Sequence, residues 1–440
     1  MRITSRLFKG TADDVVNASK IVWFPPLQEN LVIVEDLAEM ARRRKKLRYA
    51  FFDMEMYLAG TMRSELLSLQ RWRGEAKAGN TTEERRLMEQ FTRMTLNALE
   101  QVANGIAYRF FDYNHALVQS LWRQQSSPFN ILSDGFLNST DVASVLNDLP
   151  VYDRQILLSD LNALTNIGDL VVKDATDFEI IEVKASKKAS GKKVSRQKAK
   201  MRELVDFLTG GRKEIDGMEI QMLNVPARKH SLSALGEVLE KSEREGIAVA
   251  HLNDCISVGA ICFHHFEEEQ VKAKMDETLN RVANGRDRKD LWIIPSTYLR
   301  EKAGVVAPLT IYPIPSKQVV DILFGNKIVF FCLSLDAVEA KLAQAGWNVA
   351  RGKNAFGTGE NAKAPSTMDS PEDFNVLMLW EGERIERNLG VPIDFLFSCA
   401  VEMIDVQSYI EVLRVLWEKG ADGVKRHWIC FYEDESNLWH

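Results

Sequence analysis

The chain has 440 residues, 45% of them hydrophobic and 27% charged, with a formal net charge of −6 at pH 7, the balance of an ordinary soluble protein with room for more than one domain. Its longest apolar runs, such as Ile328 to Leu333, are far too short to span a bilayer, and the N-terminus lacks an apolar signal core, so neither membrane insertion nor secretion is indicated. Five cysteines without a Cys-x-x-Cys pair argue against a disulfide framework or a zinc ribbon and suit a reducing cytoplasm, which is the expected location.

The first third predicts helix. No proline occurs between Pro26 and Pro128, and apolar residues recur at three and four in Leu47 to Leu69 and Leu87 to Phe111, with a break from Gly74 to Thr82. The run Arg42-Arg43-Arg44-Lys45-Lys46-Leu47-Arg48 reads as a cationic helix face or a second nucleic-acid contact, the former favoured in the absence of a second feature nearby, and Tyr49, Phe51, Phe52 and Tyr57 read as core rather than stacking platforms.

Next comes a hairpin. Ile167-Gly168-Asp169 opens an apolar strand, Asp174-Ala175-Thr176-Asp177 is a turn, and Phe178 to Val183 returns as a second strand ending in Glu182-Val183-Lys184. With a side-chain period of two, Glu182 and Lys184 share a face, roughly 6–7 Å apart. Charge at the end of an apolar strand needs a partner or a metal. Asp169 and Glu182 offer the hard oxygen ligands that Mg²⁺ takes while keeping several waters. The tripeptide Glu-x-Lys alone is weak, since it also occurs at Glu75-Ala76-Lys77 and at Glu339-Ala340-Lys341. Only the copy at 182–184 has a Gly-Asp strand upstream.

These residues give the segment from 150 to 226 a resemblance: it is similar to the core of the PD-(D/E)xK nucleases, which include restriction endonucleases, Holliday-junction resolvases and recombination exonucleases. Gly168 stands where the motif's name has proline. The resemblance implies that Asp169 and Glu182 bind Mg²⁺ (or Mn²⁺) and that Lys184 orients or activates the attacking water. It also implies a third acid borne on a preceding helix. No glutamate lies between Glu100 and Glu179, so the choice is among Glu100, Asp153 and Asp160, with Glu100 on a long helix as the superfamily places it.

From Lys184 to Arg202 there are nine Lys or Arg and no acid, a local charge of +9 that includes Lys187, Lys188, Lys192, Lys193, Arg196 and Lys198. Such a segment supplies a phosphate-binding surface with steep salt dependence. Lys187 to Ser195 reads as a loop, and Met201, Leu204, Val205 and Leu208 as a helix stopped by Gly210-Gly211. Gln197, in its first turn, is a helper near the scissile phosphate by the resemblance. Glu219 to Val225 reads as a further strand.

Beyond it, a helix is predicted over Ser231 to Gly246, then strands over Ile247 to Ala250 and Cys255 to Phe263. Cys255, Cys262, His264-His265 and Glu267-Glu268-Glu269 contain metal-ligating types, but the spacing matches no standard zinc pattern, and a helix starting after a strand explains the same letters. Strands are predicted at Leu291 to Ile294, Leu309 to Tyr312 and Lys327 to Leu333, and helices at Asp336 to Ala345 and Val406 to Lys419. A polar loop at Gly352 to Pro371, whose Gly357-Thr358-Gly359 lacks a P-loop's Gly-Lys-Ser/Thr, precedes a hairpin-like Phe374 to Glu386, and a strand at His427 to Tyr432 closes the pattern.

The fold expected is α/β of mixed α+β type: a helical region (1–140), a restriction-endonuclease-like αβββαβ core (141–265) and an α/β C-terminal region (266–440). The function expected is a Mg²⁺-dependent DNA endonuclease in restriction, defence or repair, acting as a dimer and open to a protein partner or activator. The alternative is a nucleic-acid-binding or assembly protein with a relic site.

Overall fold

A computed structural model describes residues 28–42, 47–79, 82–111, 118, 131–149, 154–164, 168–174, 177–183, 199, 212–215, 218–225, 229–287, 290–302, 306–352, 376–382, 388–420 and 426–431. In chain order these form helices α1 (Gln28–Arg42), α2 (Leu47–Lys77), α3 (Glu83–Phe110) and α4 (Asp134–Asp148), then strands β1 (Gln155–Leu158), β2 (Leu170–Asp174), β3 (Asp177–Ile181), β4 (Arg212–Ile215) and β5 (Met218–Val225). There follow α5 (Ser233–Glu245), β6 (Ile247–His251), β7 (Ile256–Cys262), α6 (Glu268–Ala283), β8 (Leu291–Pro295), α7 (Ser316–Leu323) and β9 (Lys327–Ser334). The order ends with α8 (Leu335–Gln344), β10 (Asn348–Gly352), β11 (Val376–Trp380), β12 (Leu389–Pro392), α9 (Ile393–Val401), α10 (Val406–Gly420) and β13 (Arg426–Phe431). The class is mixed α+β. Among the described residues no helix is long and apolar enough to cross a membrane.

The chain divides into two compact units. One takes Ile21–Val225, Ala307–Tyr312 and Gly423–His440; the other takes Met1–Lys20, Pro226–Val306 and Pro313–Asp422.

In the first unit, β1, β2 and β3 form an antiparallel meander. Leu170, Val171, Val172 and Lys173 of its central strand are all buried, as expected of a strand covered on both faces. Helices α2, α3 and α4 pack on β1, and Phe51, Leu58, Met62, Phe91, Leu99 and Ile106 fill the layer they form. The α3 helix starts at Thr82, whose side chain accepts from the Arg85 N–H at 3.3 Å, with Glu83 and Glu84 in its first turn where the dipole favours anions. At its other end the buried Lys173 ammonium donates to the Phe110 carbonyl at 3.2 Å, a cation on a helix C-terminus. Gly105 sits mid-helix because a Cβ there would overlap Thr310, whose hydroxyl donates to the Gln101 carbonyl at 2.9 Å.

Leu309 to Tyr312, expected as a strand, is a short 3-10 turn (Leu309–Ile311). Pro308 and Pro313 bracket it, and each removes a donor that a ladder would use. The strand expected at Glu219 to Val225 is present as β5. It lies in a second sheet of order β13-β5-β4, parallel to β13 and antiparallel to β4. Among the described residues no ladder joins it to the meander.

The second unit is built on an antiparallel sheet of order β6-β7-β9-β8. Every residue of β7 and β9 is buried, so these apolar runs are covered on both faces. Helices α5 and α6 pack on β6 and β7, and α7, α8 and α9 pack on β9. A smaller antiparallel meander, β10-β11-β12, accompanies it. Glu339 and Lys341 lie in α8, as their helical pattern predicts, whereas Glu75 and Lys77 fall in the last turn of α2 rather than in a break.

Candidate functional site

The hairpin of β2 and β3 forms as its sequence predicts, with Asp174 paired to Asp177 at the turn and Leu170 paired to Ile181 at the open end. Asp169 and Glu182 are the residues next outside that last pair, one on each arm. The ladder stops at Ile181, so Glu182 follows the strand instead of lying within it.

Three hydrogen bonds fix Asp169. Its N–H donates to the Ile181 carbonyl at 3.0 Å, and its own carbonyl accepts from the Ser159 N–H at 3.1 Å. Its Oδ2 accepts from the Val183 N–H at 2.6 Å, which locks the carboxylate across the end of the hairpin beside Glu182. Gly168 makes this entry possible. Its φ is +67°, a region closed to proline, and a Cβ would overlap the Ile180 side chain, so this position calls for glycine for a geometric reason.

Asp160 adds a third acid. It lies in the 3-10 turn Ser159–Leu161 that follows β1. Burial, and then the Asp169 charge, raise its pKa above the usual aspartate range, so the two carboxylates feel each other. Glu100, in α3, is buried and lies one turn before Asn104, on the same helix face, and the Asn104 side-chain carbonyl accepts from the Ala163 N–H at 3.0 Å. The face carrying Glu100 thus abuts the segment that carries Asp160. Asp153, Lys184, Lys187, Lys188, Lys192, Lys193, Arg196, Gln197 and Lys198 lie outside the described residues.

Sequence reasoning missed Glu55. It sits on α2, fully buried, and its Oε2 accepts from the Leu158 N–H at 2.8 Å, at the end of β1 just before Asp160. Burial raises its pKa well above the usual range, and the Leu158 bond opposes this only in part. The signal was available, since Glu55 falls on the apolar stripe of Phe51, Leu58 and Met62. Glu55→Gln keeps an acceptor for Leu158 and removes the ionisation that burial opposes. Because the folded pKa lies above the unfolded one, ionised Glu55 weakens the fold increasingly as pH rises. The variant's Tm at pH 7 is therefore expected to rise by about 2–4 °C, the effect of about 1 kcal/mol. The difference should vanish below about pH 4 in a thermal melt.

Carboxylate oxygens are the right donors for Mg²⁺, and one or two suffice when waters complete the shell. Among the described residues, however, the group of three potential ligands that converges within 4.8 Å is Cys262, His264 and His265, in the other unit. The acids at the hairpin do not close to that degree. The helix start expected after His265 is present: Glu267 caps α6 in a reciprocal capping box with Gln270, which accounts for the acid next to the histidines. Burial pushes the Cys262 thiol up to about 12, too high for a nucleophile at neutral pH.

No known protein family, no characterised protein and no solved structure matches this chain.

Proposed function

We propose that the chain is a Mg²⁺-dependent nuclease of PD-(D/E)xK type that hydrolyses phosphodiester bonds in DNA. The observation that supports it most is the placing of Asp169 and Glu182 together outside the last pair of the β2–β3 hairpin, with Lys184 two residues on. A helix and three antiparallel strands precede the basic segment, in the order of an αβββαβ core, with β5 following β4 in a separate sheet.

In this reading Asp169 and Glu182 hold the cation, and the Val183 N–H keeps the Asp169 carboxylate aimed before any ion arrives. Asp160 or Glu100 serves as the third acid. Bound Mg²⁺ supplies Lewis acidity toward water and phosphate oxygens. Lys184 positions the attacking water and balances the charge that develops on the phosphate, and Gln197 contacts the same phosphate. The cations at Lys187, Lys188, Lys192, Lys193, Arg196 and Lys198 bind the DNA backbone. A dimer would present one site to each strand, and a protein activator would explain a chain that is acidic outside its basic segment.

The incomplete convergence of the acids favours a second reading, a DNA-binding protein with a relic site. Supercoiled plasmid and linear duplex incubated with the purified chain and Mg²⁺, beside EDTA and Lys184→Ala controls, separate the two. Metal-dependent nicking that disappears in the variant is the expected result. Salt-sensitive binding without cleavage, equal in both proteins, would support the relic.

A further inference from the structure

The turn after β7 carries a second and different donor set. Cys262 ends the strand and is buried, and the 3-10 turn Phe263–His265 brings two exposed imidazoles to the same rim. The Cys262 Sγ is 3.0 Å from Nδ1 and 3.8 Å from Nε2 of His264. The His264 and His265 rings stack with centroids 4.5 Å apart. Zn–S and Zn–N bonds of about 2.3 and 2.0 Å in a tetrahedron separate sulfur from nitrogen by about 3.5 Å, so the spacing of Cys262 and His264 suits a shared ion.

The surroundings point the same way. His265 donates from Nε2 to the Glu243 carbonyl at 2.6 Å, which places its proton there and leaves Nδ1 as the lone-pair nitrogen. A main-chain carbonyl in this position is the usual orienting partner of a metal-bound imidazole. Beneath the turn, the fully buried Lys327 ammonium pairs with the Glu243 carboxylate and with Asp321 at 3.3 Å, and Lys317 reaches Glu243 at 3.1 Å. Two lysines face two carboxylates, so no excess positive charge opposes a cation above them.

We propose that Cys262, His264 and His265 bind Zn²⁺, or an ion of similar affinity for thiolate, with a fourth position open to water. One sulfur and two imidazole nitrogens prefer such an ion to Mg²⁺, which makes this site chemically distinct from the acids of the other unit. The adjacency of the two histidines, unlike any standard zinc spacing, is accommodated by the 3-10 turn, which directs both rings to one rim.

Titration of the metal-free 440-residue chain with Co²⁺, in the presence of a phosphine reductant, tests this by absorbance. The expected result is one equivalent bound, with tetrahedral d–d bands and a thiolate-to-cobalt charge-transfer band that Zn²⁺ abolishes and Cys262→Ser lacks. Since Cys262 is buried and its variant could unfold, His264→Ala and His265→Ala on the exposed rings are measured beside it. Each should weaken Zn²⁺ binding by more than about tenfold, at least what loss of an outer partner costs. A wild-type complex without the charge-transfer band, a band that survives Cys262→Ser in folded protein, or unchanged Zn²⁺ affinity in both histidine variants would overturn the assignment.

Discussion

Asp169→Asn is expected to lower Mg²⁺-dependent DNA cleavage by at least about 10²-fold while leaving the fold in place, the scale on which one preorganised electrostatic group acts. The side-chain oxygen of asparagine can still accept from the Val183 N–H, and the Ile181 and Ser159 bonds use only the main chain, so the hairpin end keeps its shape. What disappears is the charge. Because the Asp169 carboxylate helps raise the pKa of Asp160, the same substitution should bring the Asp160 titration down toward the usual aspartate range, visible by carboxyl-carbon NMR. This second readout separates two failures. Unchanged cleavage with a shifted Asp160 would discard the nuclease reading but keep the geometry, whereas an unshifted Asp160 would discard the proximity itself. Circular dichroism supplies the control for folding.

The largest stability effect is expected from Glu243→Ala. Lys327 has no solvent exposure, and its ammonium is balanced by Glu243 and Asp321, with the Gln318 side-chain carbonyl as a further acceptor. Removing one partner of a fully buried pair leaves an uncompensated charge at about 3–5 kcal/mol; here the partial exposure of Glu243 and the remaining Asp321 bring the cost to or just under the lower end, about 3 kcal/mol. A drop in Tm of about 6–12 °C for this unit follows. The pH dependence has a definite sign. Hydrogen bonds, that from Lys327 foremost, hold Glu243 down at about 2, below its unfolded value. Its stabilisation is therefore full above about pH 5 and is lost as pH falls toward 2, so wild type and variant should converge in acid melts. A Tm difference that stayed constant from pH 7 to pH 3 would refute this account. The substitution retains the backbone carbonyl that His265 uses, so it probes the buried charge without removing the imidazole's partner.

The parts of this fold legible in the sequence are those where one local signal dominates. The hairpin from Gly168 to Val183 could be read because two short apolar runs flank an Asp-rich turn, and β7 and β9 because uninterrupted apolar runs of their length suit buried strands. The acid pair was legible for the same reason, since register follows once the turn is fixed. Other elements depend on partners distant in sequence. Strand β1 is only Gln155–Leu158, and Glu55, from a helix a hundred residues earlier, satisfies the Leu158 amide. The helix Ile393–Val401 is apolar almost throughout, which erases the period that would identify it. Leu309 to Tyr312 has the residue types of a strand but spends a hydroxyl on α3 instead of a ladder. Cys262 and the two neighbouring histidines were visible as metal-ligating types but were set aside, because spacing rules assume regular turns, and a 3-10 turn changes which side chains meet.

The parallel pairing of β13 with β5 has a consequence for the order in which the chain can fold. Nearly the whole of the other unit is threaded between these two strands. During synthesis that intervening unit can therefore reach its native sheet while β5 still waits, with one edge unpaired, for β13 to leave the ribosome. A chain interrupted before Arg426 would expose that edge to any other strand available, so premature termination should yield an aggregating product rather than a shorter working one.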